Sequence, residues 1–347
     1  MVNQDLPHVS VGMPVYNGER YLRQAIESIL FQTFQDLELI ISDNASTDAT
    51  EEICKEYAAK DPRVRYHRSD QNRGAAWNHN RVVELARGEY FKWQCHDDYC
   101  DTSFLEKCLA VVHNAPDVVL CYPRFVRVDE QGKRLGITSS RVAGGAEPLE
   151  RFRSLIYRRD SCEEIYGVTR TAVVRKTALI GPYSNSDDTF LAELILHGNF
   201  YQIPEPLFFY RIHPTKSTMA YPTRTALMAW FKPSARRCVL PFLRLVRGYL
   251  SLVWRSPTPW RVKLRCYMCL AGWFWFFRDW LTEDLRLARS SLIQSWQPWF
   301  KQHAPWTGPV WHWMKDVKKR LARPESAAAR ARRLRREQLE WVLKTED

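Results

Sequence analysis

Tyr90-Phe91-Lys92-Trp93-Gln94-Cys95-His96-Asp97-Asp98 decides how the rest of this chain is read. An aromatic run of strand character ends abruptly in two adjacent carboxylates, which is how an open α/β sheet presents acids at the carboxyl edge of a central strand, where ligands bind. Two acids at such an edge make a metal and phosphate site, whereas an isolated Asp-Asp pair more often only opens a solvated turn. The flanking sequence separates the two readings.

Upstream, Val9, Val11 and Met13 alternate with small or polar residues and stop at Pro14-Val15-Tyr16-Asn17-Gly18, a strand followed by a loop. Tyr21, Ala25, Ile26, Ile29 and Leu30 recur at helical spacing. A second strand over residues 37–41 ends at Ser42-Asp43-Asn44-Ala45-Ser46-Thr47-Asp48, and Asp48 with Glu51 starts a helix that buries Ile53, Cys54 and Tyr57. Val64 and Tyr66 mark a third strand, and Asn72-Arg73-Gly74 turns the chain into a helix carrying Trp77, Val82, Val83 and Leu85. The opening stretch is therefore the fourth strand. Strands alternating with helices of about 10 to 15 residues predict a largely parallel sheet covered on both faces. Asn17, Asp43 and Asp97 then lie past the carboxyl ends of their strands, brought from distant positions to one edge.

Downstream, a helix with Phe104, Leu105, Cys108, Leu109 and Val112 inside leads to a strand over residues 118–128. That strand ends in the hairpin signal Asp129-Glu130-Gln131-Gly132, so antiparallel strands are expected here. Residues 137–147 read as a mobile loop closing over a ligand, and the pieces around Ile165-Tyr166-Gly167-Val168 and Val173-Val174 as short extended or helical segments. Asn185-Ser186-Asp187-Asp188 opens a helix that Gly198 stops, and plain helix capping accounts for these acids as well as chemistry does. A strand over residues 200–212 closes the domain at Tyr210-Arg211-Ile212-His213; a lone histidine there is ordinarily a packing or surface residue.

Composition divides the chain. From Tyr221 onward lie 25 of the 51 Lys and Arg but only 9 of the 39 Asp and Glu, together with 12 of the 14 tryptophans, so the net charge of +12 belongs to the C-terminal part. Two domains are expected, 1–220 and 221–347. Nine cysteines at irregular spacing, with no cleavable signal at Met1-Val2-Asn3-Gln4-Asp5, point to reduced thiols in a cytoplasm. Cys266 and Cys269 have no second pair to complete a zinc site and read as packing residues.

The fragments quoted so far, in their order and spacing, resemble the family 2 glycosyltransferases, which transfer sugars from nucleotide-diphosphate donors and have the GT-A (Rossmann-like) fold. The resemblance covers residues 7–217, nearly two thirds of the sequence, and implies an α/β fold with a mixed, mainly parallel sheet, helices on both faces and a C-terminal helical region. It implies that Asp43 bonds the nucleotide base and that Pro14, Tyr16 and Asn17 line the base and ribose pocket, with Arg73, Asp97 and Gly167 also on the nucleotide-sugar. A divalent cation, Mg2+ or Mn2+, would sit on Asp97 and Asp98 with His213 beside it. Cys95 stands where the family usually has a further Asp, and a thiol is a poor ligand for the hard magnesium ion, so either Asp97 and Asp98 suffice or metal use is altered. Asp188 is implied as the catalytic base, with Asp187 its neighbour. The expected reaction is inverting, from a UDP-linked donor to a glycan or lipid-linked acceptor in bacterial cell-surface polysaccharide synthesis. The competing reading is a non-catalytic nucleotide-sugar or polysaccharide-binding protein with a degenerate metal site.

The basic, tryptophan-rich region from Tyr221 admits two readings. The uncharged run of residues 266–277 is short of the roughly 20 residues a membrane span needs. Its Trp, Arg and Lys content suits helices lying on an anionic membrane surface, which places the protein in the cytoplasm, peripheral on the inner face of the membrane. The alternative is a helical subdomain packed on the core. Residues 296–313 read as an irregular loop and residues 330–336 as a solvated basic helix; nucleic acid is not an expected partner.

Overall fold

The computed structural model describes residues 6–138, 145–157, 162–221, 224–232, 240–282, 284–286 and 288–289. The chain divides into two compact units, Met1–Ala288 and Arg289–Asp347. All but Arg289 of the second lies outside the described residues, and with it the expectations for 296–313 and 330–336.

The first unit begins with three strand–helix pairs: β1 (Val9–Val15) and α1 (Glu19–Leu30), β2 (Leu37–Asp43) and α2 (Thr50–Lys60), β3 (Val64–Arg68) and α3 (Ala75–Leu85). Next come β4 (Tyr90–Trp93), β5 (Tyr99–Cys100), α4 (Phe104–Asn114) and the hairpin of β6 (Val118–Val128) with β7 (Arg134–Thr138). After α5 (Pro148–Ile156), a 3-10 turn at Glu163–Tyr166 leads into β8 (Val168–Arg170), α6 (Thr171–Val174), α7 (Ser186–Leu194) and β9 (Asn199–Arg211). The helices α8 (Ser217–Ala220), α9 (Arg224–Phe231), α10 (Pro241–Arg255) and α11 (Trp260–Phe276) follow.

All the strands join one sheet of order β3-β2-β1-β4-β8-β6-β9-β5, with β7 on β6. The pairs among β3, β2, β1 and β4 are parallel, as is β6 with β9; β8 lies antiparallel between β4 and β6, and β5 antiparallel to β9. Every residue of β1 and β2 is buried, which requires cover on both faces. Val15, Asp43 and Arg68 share one level of the ladder, so the first three strands end together at the carboxyl edge. Gly167 precedes β8 at a close approach: a Cβ there would meet the Cys121 carbonyl oxygen at 2.6 Å, so only glycine lets β8 slot between its neighbours. The helix expected to run to Gly198 stops at Leu194, and Gly198 instead serves close packing on the Asp117 carbonyl.

After the compositional change, α9 packs on α3, α10 on α7 and α11 on α5. Arg255 of α10 donates two hydrogen bonds of 3.0 Å to the Glu193 carboxylate of α7. Asp284 caps the first turn of α10 through the Phe242 and Leu243 amides. Phe242, Tyr249, Cys266, Leu270 and Trp273 are buried along the α10–α11 seam. The outer stripes are different: Leu243, Leu250 and Trp254 on α10, and Trp260, Leu264, Met268 and Trp275 on α11, are exposed, Trp254 to 74%. Among the described residues no helix is long and apolar enough to cross a membrane.

Lys92 of β4 is fully buried. Its ammonium donates to the Trp93 carbonyl (3.0 Å) and Gln94 Oε1 (2.8 Å) between the rings of Phe104 and Phe208, and no carboxylate pairs with it among the described residues. Burial pulls its pKa down. The unfolded chain therefore binds the proton more tightly, and this residue's contribution grows more favourable as pH rises from the depressed folded pKa toward the ordinary lysine range. Lys92→Met is expected to raise stability in urea by about 1–3 kcal/mol near neutral pH and to remove that pH dependence. A lowered urea midpoint would show the buried ammonium to be a net asset.

Candidate active site

The acid turn is placed by what lies on either side of it. Gln94 donates to the carbonyls of Cys95 (3.1 Å) and Asp98 (2.9 Å), closing the turn at the end of β4. Immediately after Asp98 the chain enters β5, whose pairing of Tyr99 with Phe209 draws the turn to the end of β9. Arg211, buried there, donates its backbone N–H to Asp98 Oδ1 (2.8 Å) and its Nε to the Asp97 carbonyl (3.0 Å), and Nη1 reaches the Glu130 carbonyl (2.9 Å). His213 follows on the same side: its Nε2 lies 2.9 Å from Asp97 Oδ2 and its Nδ1 2.8 Å from Thr215 Oγ1. Lys216 completes the cluster, with Nζ 3.2 Å from Asp98 Oδ1 and 3.7 Å from Asp97 Oδ2.

Electrostatics splits the two acids. Burial raises both, but the Lys216 ammonium and the His213 hydrogen bond outweigh it at Asp97 and hold that carboxyl well below the usual range. Asp98 is pushed up, by burial and by the Asp97 charge beside it, despite Lys216. Asp98 Oδ2 is buried without a hydrogen-bond partner among the described residues. Burial, with Asp97 and Asp98 close by, pushes the Cys95 thiol far up, so sulfur stays protonated and donates to Tyr166 Oη at 3.1 Å. Ligand atoms of Cys95, Asp97 and Asp98 lie within 4.8 Å of one another. Two carboxylates, one with an unpartnered buried oxygen, and a neighbouring imidazole fit a divalent cation in kind; the neutral thiol adds little for a hard ion.

A second acid cluster stands at the start of α7. Asn185, in the left-handed conformation, turns the chain so that Asp187 and Asp188 fall in the first helical turn. Cys162 Sγ donates to Asp188 Oδ1 (2.8 Å) and Asn185 Nδ2 to Oδ2 (3.2 Å). Burial, then the Asp188 charge, raises the Asp187 pKa. The 3-10 turn at Glu163–Tyr166 ties the two clusters together. Cys162 at its N-terminal end holds Asp188, and Tyr166 at its C-terminal end receives the Cys95 thiol, across a rise of about 8 Å. Glu163 on this turn is raised to about 7, chiefly by burial and by Glu164.

The residues expected to line the nucleotide pocket sit at the carboxyl ends of β1 and β2. Tyr16 and Asn17 are exposed and Pro14 is buried under them. Asn17 Oδ1 accepts from the Thr47 amide (2.8 Å), locking the two loops together. Asp43 is fully buried: Oδ2 accepts from Tyr66 Oη (2.9 Å) and Arg68 Nη1 (2.7 Å), Oδ1 from the Ser46 amide (2.8 Å). Arg73 is exposed, its guanidinium stacked 4.9 Å from the Trp77 ring centroid, after which Gly74 at φ +91° opens α3. Both Arg73 and Trp77 line a cleft beside β3 that also includes Tyr66 and Arg68, and no acid of either cluster lines it. Gly167 caps the 3-10 turn, its backbone N–H donating to the Glu164 carbonyl (2.9 Å).

The structure thus brings Asp97, Asp98 and His213 into one cluster and Asp187 and Asp188 into another linked to it. Sequence reasoning missed Arg211, Lys216, Cys162 and Tyr166 as members. The period-two spacing of Arg211 and His213 was a usable signal for Arg211; nothing local marks the others, which arrive through β5, the 3-10 turn and the chain reversal after β9.

Residues 10–180 match the family described as Glycosyl transferase family 2. MJ1057 of Methanocaldococcus jannaschii, an uncharacterized glycosyltransferase by name, is 38% identical over 133 residues, 38% of this chain and 46% of that protein. EpsH of Bacillus subtilis, which carries the name of a glycosyltransferase, is 27% identical over 228 residues, 62% of this chain and 64% of that protein. The chain thus spans less than two thirds of the length of either relative. Among solved structures, S. aureus TarS 1-349 in complex with UDP superposes with a TM-score of 0.56 at 17% identity, over 77% of this chain and 70% of that one, which shows a shared fold. On the family match, the relatives and the mixed sheet with acids at its carboxyl edge, residues 10–180 of this chain are a glycosyl transferase family 2 domain, and the fold is GT-A.

Proposed function

We propose that the protein moves a sugar from a UDP-linked donor to a hydroxyl of a glycan or lipid-linked acceptor, by a single displacement with inversion, in bacterial cell-surface polysaccharide synthesis. The observation that carries this reading is the pair of acid clusters linked through one 3-10 turn. One cluster suits a diphosphate and its counter-ion, the other a base beside the sugar. The UDP bound by TarS supports the choice of nucleotide.

In this reading Tyr16 and Asn17 face the base and ribose, Pro14 and Asp43 underpin that wall, and Arg73 approaches from α3. Gly167, at the end of the 3-10 turn that joins the clusters, meets the nucleotide-sugar through its backbone. Asp97 and Asp98, with His213, would hold Mg2+ or Mn2+, which supplies Lewis-acid stabilisation of the departing diphosphate. Asp188 accepts the acceptor's hydroxyl proton as its oxygen attacks the anomeric carbon, because a hydroxyl's very high pKa demands a carboxylate within hydrogen-bond reach. A base on the face opposite the leaving group gives inversion. Arg211 positions the acid turn without touching substrate.

Catalysis is assigned to residues 1–220. The region 221–347 contributes the back of the base site, where Tyr249 is buried, and a face for the acceptor. Exposed Trp254, Trp260 and Trp275 stand among Arg244, Arg247, Arg261 and Arg265, with Asp279 the one exposed acid among the described residues of 240–289. Such a surface suits an anionic membrane at the cytoplasmic face, where lipid-linked acceptors lie. Flotation with phosphatidylglycerol vesicles is expected for the full chain and largely lost in Trp254→Ser/Trp260→Ser; equal flotation of both removes the membrane role.

A donor screen reading released nucleoside diphosphate tests the function. Turnover on a UDP-sugar with magnesium or manganese is expected. UDP binding without turnover on any donor would instead favour a binding protein with a degenerate metal site.

A further inference from the structure

We propose that Lys216 is a resident cation of the diphosphate site: it neutralises the Asp97–Asp98 pair when no divalent ion is bound, competes with such an ion for the two carboxylates, and carries part of the positive charge that meets the donor's phosphates. The proposal rests on the reading of this cluster as a nucleoside-diphosphate site.

Lys216 is 7% exposed, so its ammonium is not a passing surface charge. It is held from four directions. Nζ is 3.2 Å from Asp98 Oδ1, 3.7 Å from Asp97 Oδ2 and 2.9 Å from the Arg211 carbonyl, and lies 3.4 Å over the Tyr210 ring. The ammonium thus lies against both carboxylates that a divalent ion would need. An ion and an ammonium bound to the same two carboxylates repel one another strongly at such separations. Divalent binding must therefore displace Lys216 or accept its repulsion.

The charge count points the same way. Cys95 is the third potential ligand of this cluster, but its sulfur is engaged with Tyr166 Oη at 3.1 Å. Two carboxylates set against the Lys216 ammonium and the buried Arg211 guanidinium leave no net negative charge, too little to attract a divalent ion strongly without a nucleotide. The unpartnered Asp98 Oδ2 shows that Lys216 does not use up the site's capacity. Once an ion or a diphosphate engages the acids, the ammonium remains within reach of phosphate oxygens.

Manganese binding to the full chain, followed by the electron paramagnetic resonance signal of free Mn2+, and calorimetry with UDP in EDTA test this. Lys216→Met is expected to bind Mn2+ at least tenfold more tightly in the absence of nucleotide, and to bind UDP at least tenfold more weakly in EDTA. Wild type is expected to keep measurable UDP affinity in EDTA, and Lys216→Arg to behave as wild type in both measurements. Unchanged or weaker Mn2+ binding by folded Lys216→Met overturns the competition. Should Lys216→Met not fold, Lys216→Arg decides: tenfold tighter Mn2+ binding, or loss of UDP in EDTA, would show that charge at this position is not what matters. If wild type binds no UDP with or without Mn2+, the nucleotide reading fails, and the Mn2+ comparison still decides whether Lys216 opposes the ion.

Discussion

Asp188→Asn is expected to lower sugar transfer by about 10²–10⁴-fold while UDP affinity stays within about twofold of wild type. The substitution keeps the size of the side chain and an oxygen acceptor for Cys162, whose thiol donates to Oδ1, so the first turn of α7 should hold its shape. What is removed is the group that takes the hydroxyl proton. Asp187→Asn is the informative control. Burial and the Asp188 charge raise the Asp187 pKa, so Asp187 is the acid that keeps its proton to higher pH, and an amide there resembles the protonated form. Transfer should largely survive in Asp187→Asn, with the acid limb of its pH–rate profile unmoved, because the amide reproduces the neutral neighbour that the base has in the wild type. Released nucleoside diphosphate measured from pH 5 to 9 would decide. Activity in Asp188→Asn within threefold of wild type, with Asp187→Asn inactive, reassigns the base.

Removing both acids of the turn is expected to cost far more stability than the two single changes predict. In Asp97→Asn, Asp98 still lies 3.2 Å from the Lys216 ammonium, and in Asp98→Asn, Asp97 remains at 3.7 Å with His213 beside it. Each single change leaves a counter-charge, so each should cost about 1–2 kcal/mol. The double change strands a buried ammonium with no carboxylate, and about 3–5 kcal/mol beyond the single costs is expected. The pH dependence carries the sign. Asp97 has a folded pKa below its unfolded value, so its contribution is complete above the ordinary carboxylate range and is lost as pH falls through the depressed folded value. Asp98 runs oppositely: its folded pKa is raised, so the folded state loses stability relative to the unfolded as pH rises from the ordinary carboxylate range through that raised value. In Asp97→Asn the charge that helps raise Asp98 is gone, and this second dependence should shrink. Urea unfolding of the four proteins between pH 4 and 8 measures both effects. Additive losses would show that Lys216 is not stranded and finds another partner.

The alternating apolar pattern of residues 9–13, the acid-bearing loop after residue 41 and the aromatic run at 90–93 were legible because each is a local signal. Strand period, turn chemistry and helix spacing act within a dozen residues. They determined that acids from distant positions reach one sheet edge, and the order of motifs pointed to the family. The basic, tryptophan-rich character of residues 221–347 was legible too, as a change of composition, but the placement of its helices was not: α10 and α11 pack on α7 and α5 through buried faces that carry no marker of their partner.

Only the tertiary structure decided what the acids are next to. The two-residue strand β5 is too short to show a period, yet its pairing with β9 sets Asp97 and Asp98 against Arg211, His213 and Lys216. The 3-10 turn that joins the clusters is equally short, and Cys162 and Tyr166 gain their meaning from partners 26 and 71 residues away. Sequence determined which charges this protein brings to the edge of its sheet. Folding decided how they divide, because the Lys216 ammonium and the His213 hydrogen bond keep Asp97 ionised against burial, while burial and the Asp97 charge make Asp98 the weaker acid, and all of these are products of long-range packing.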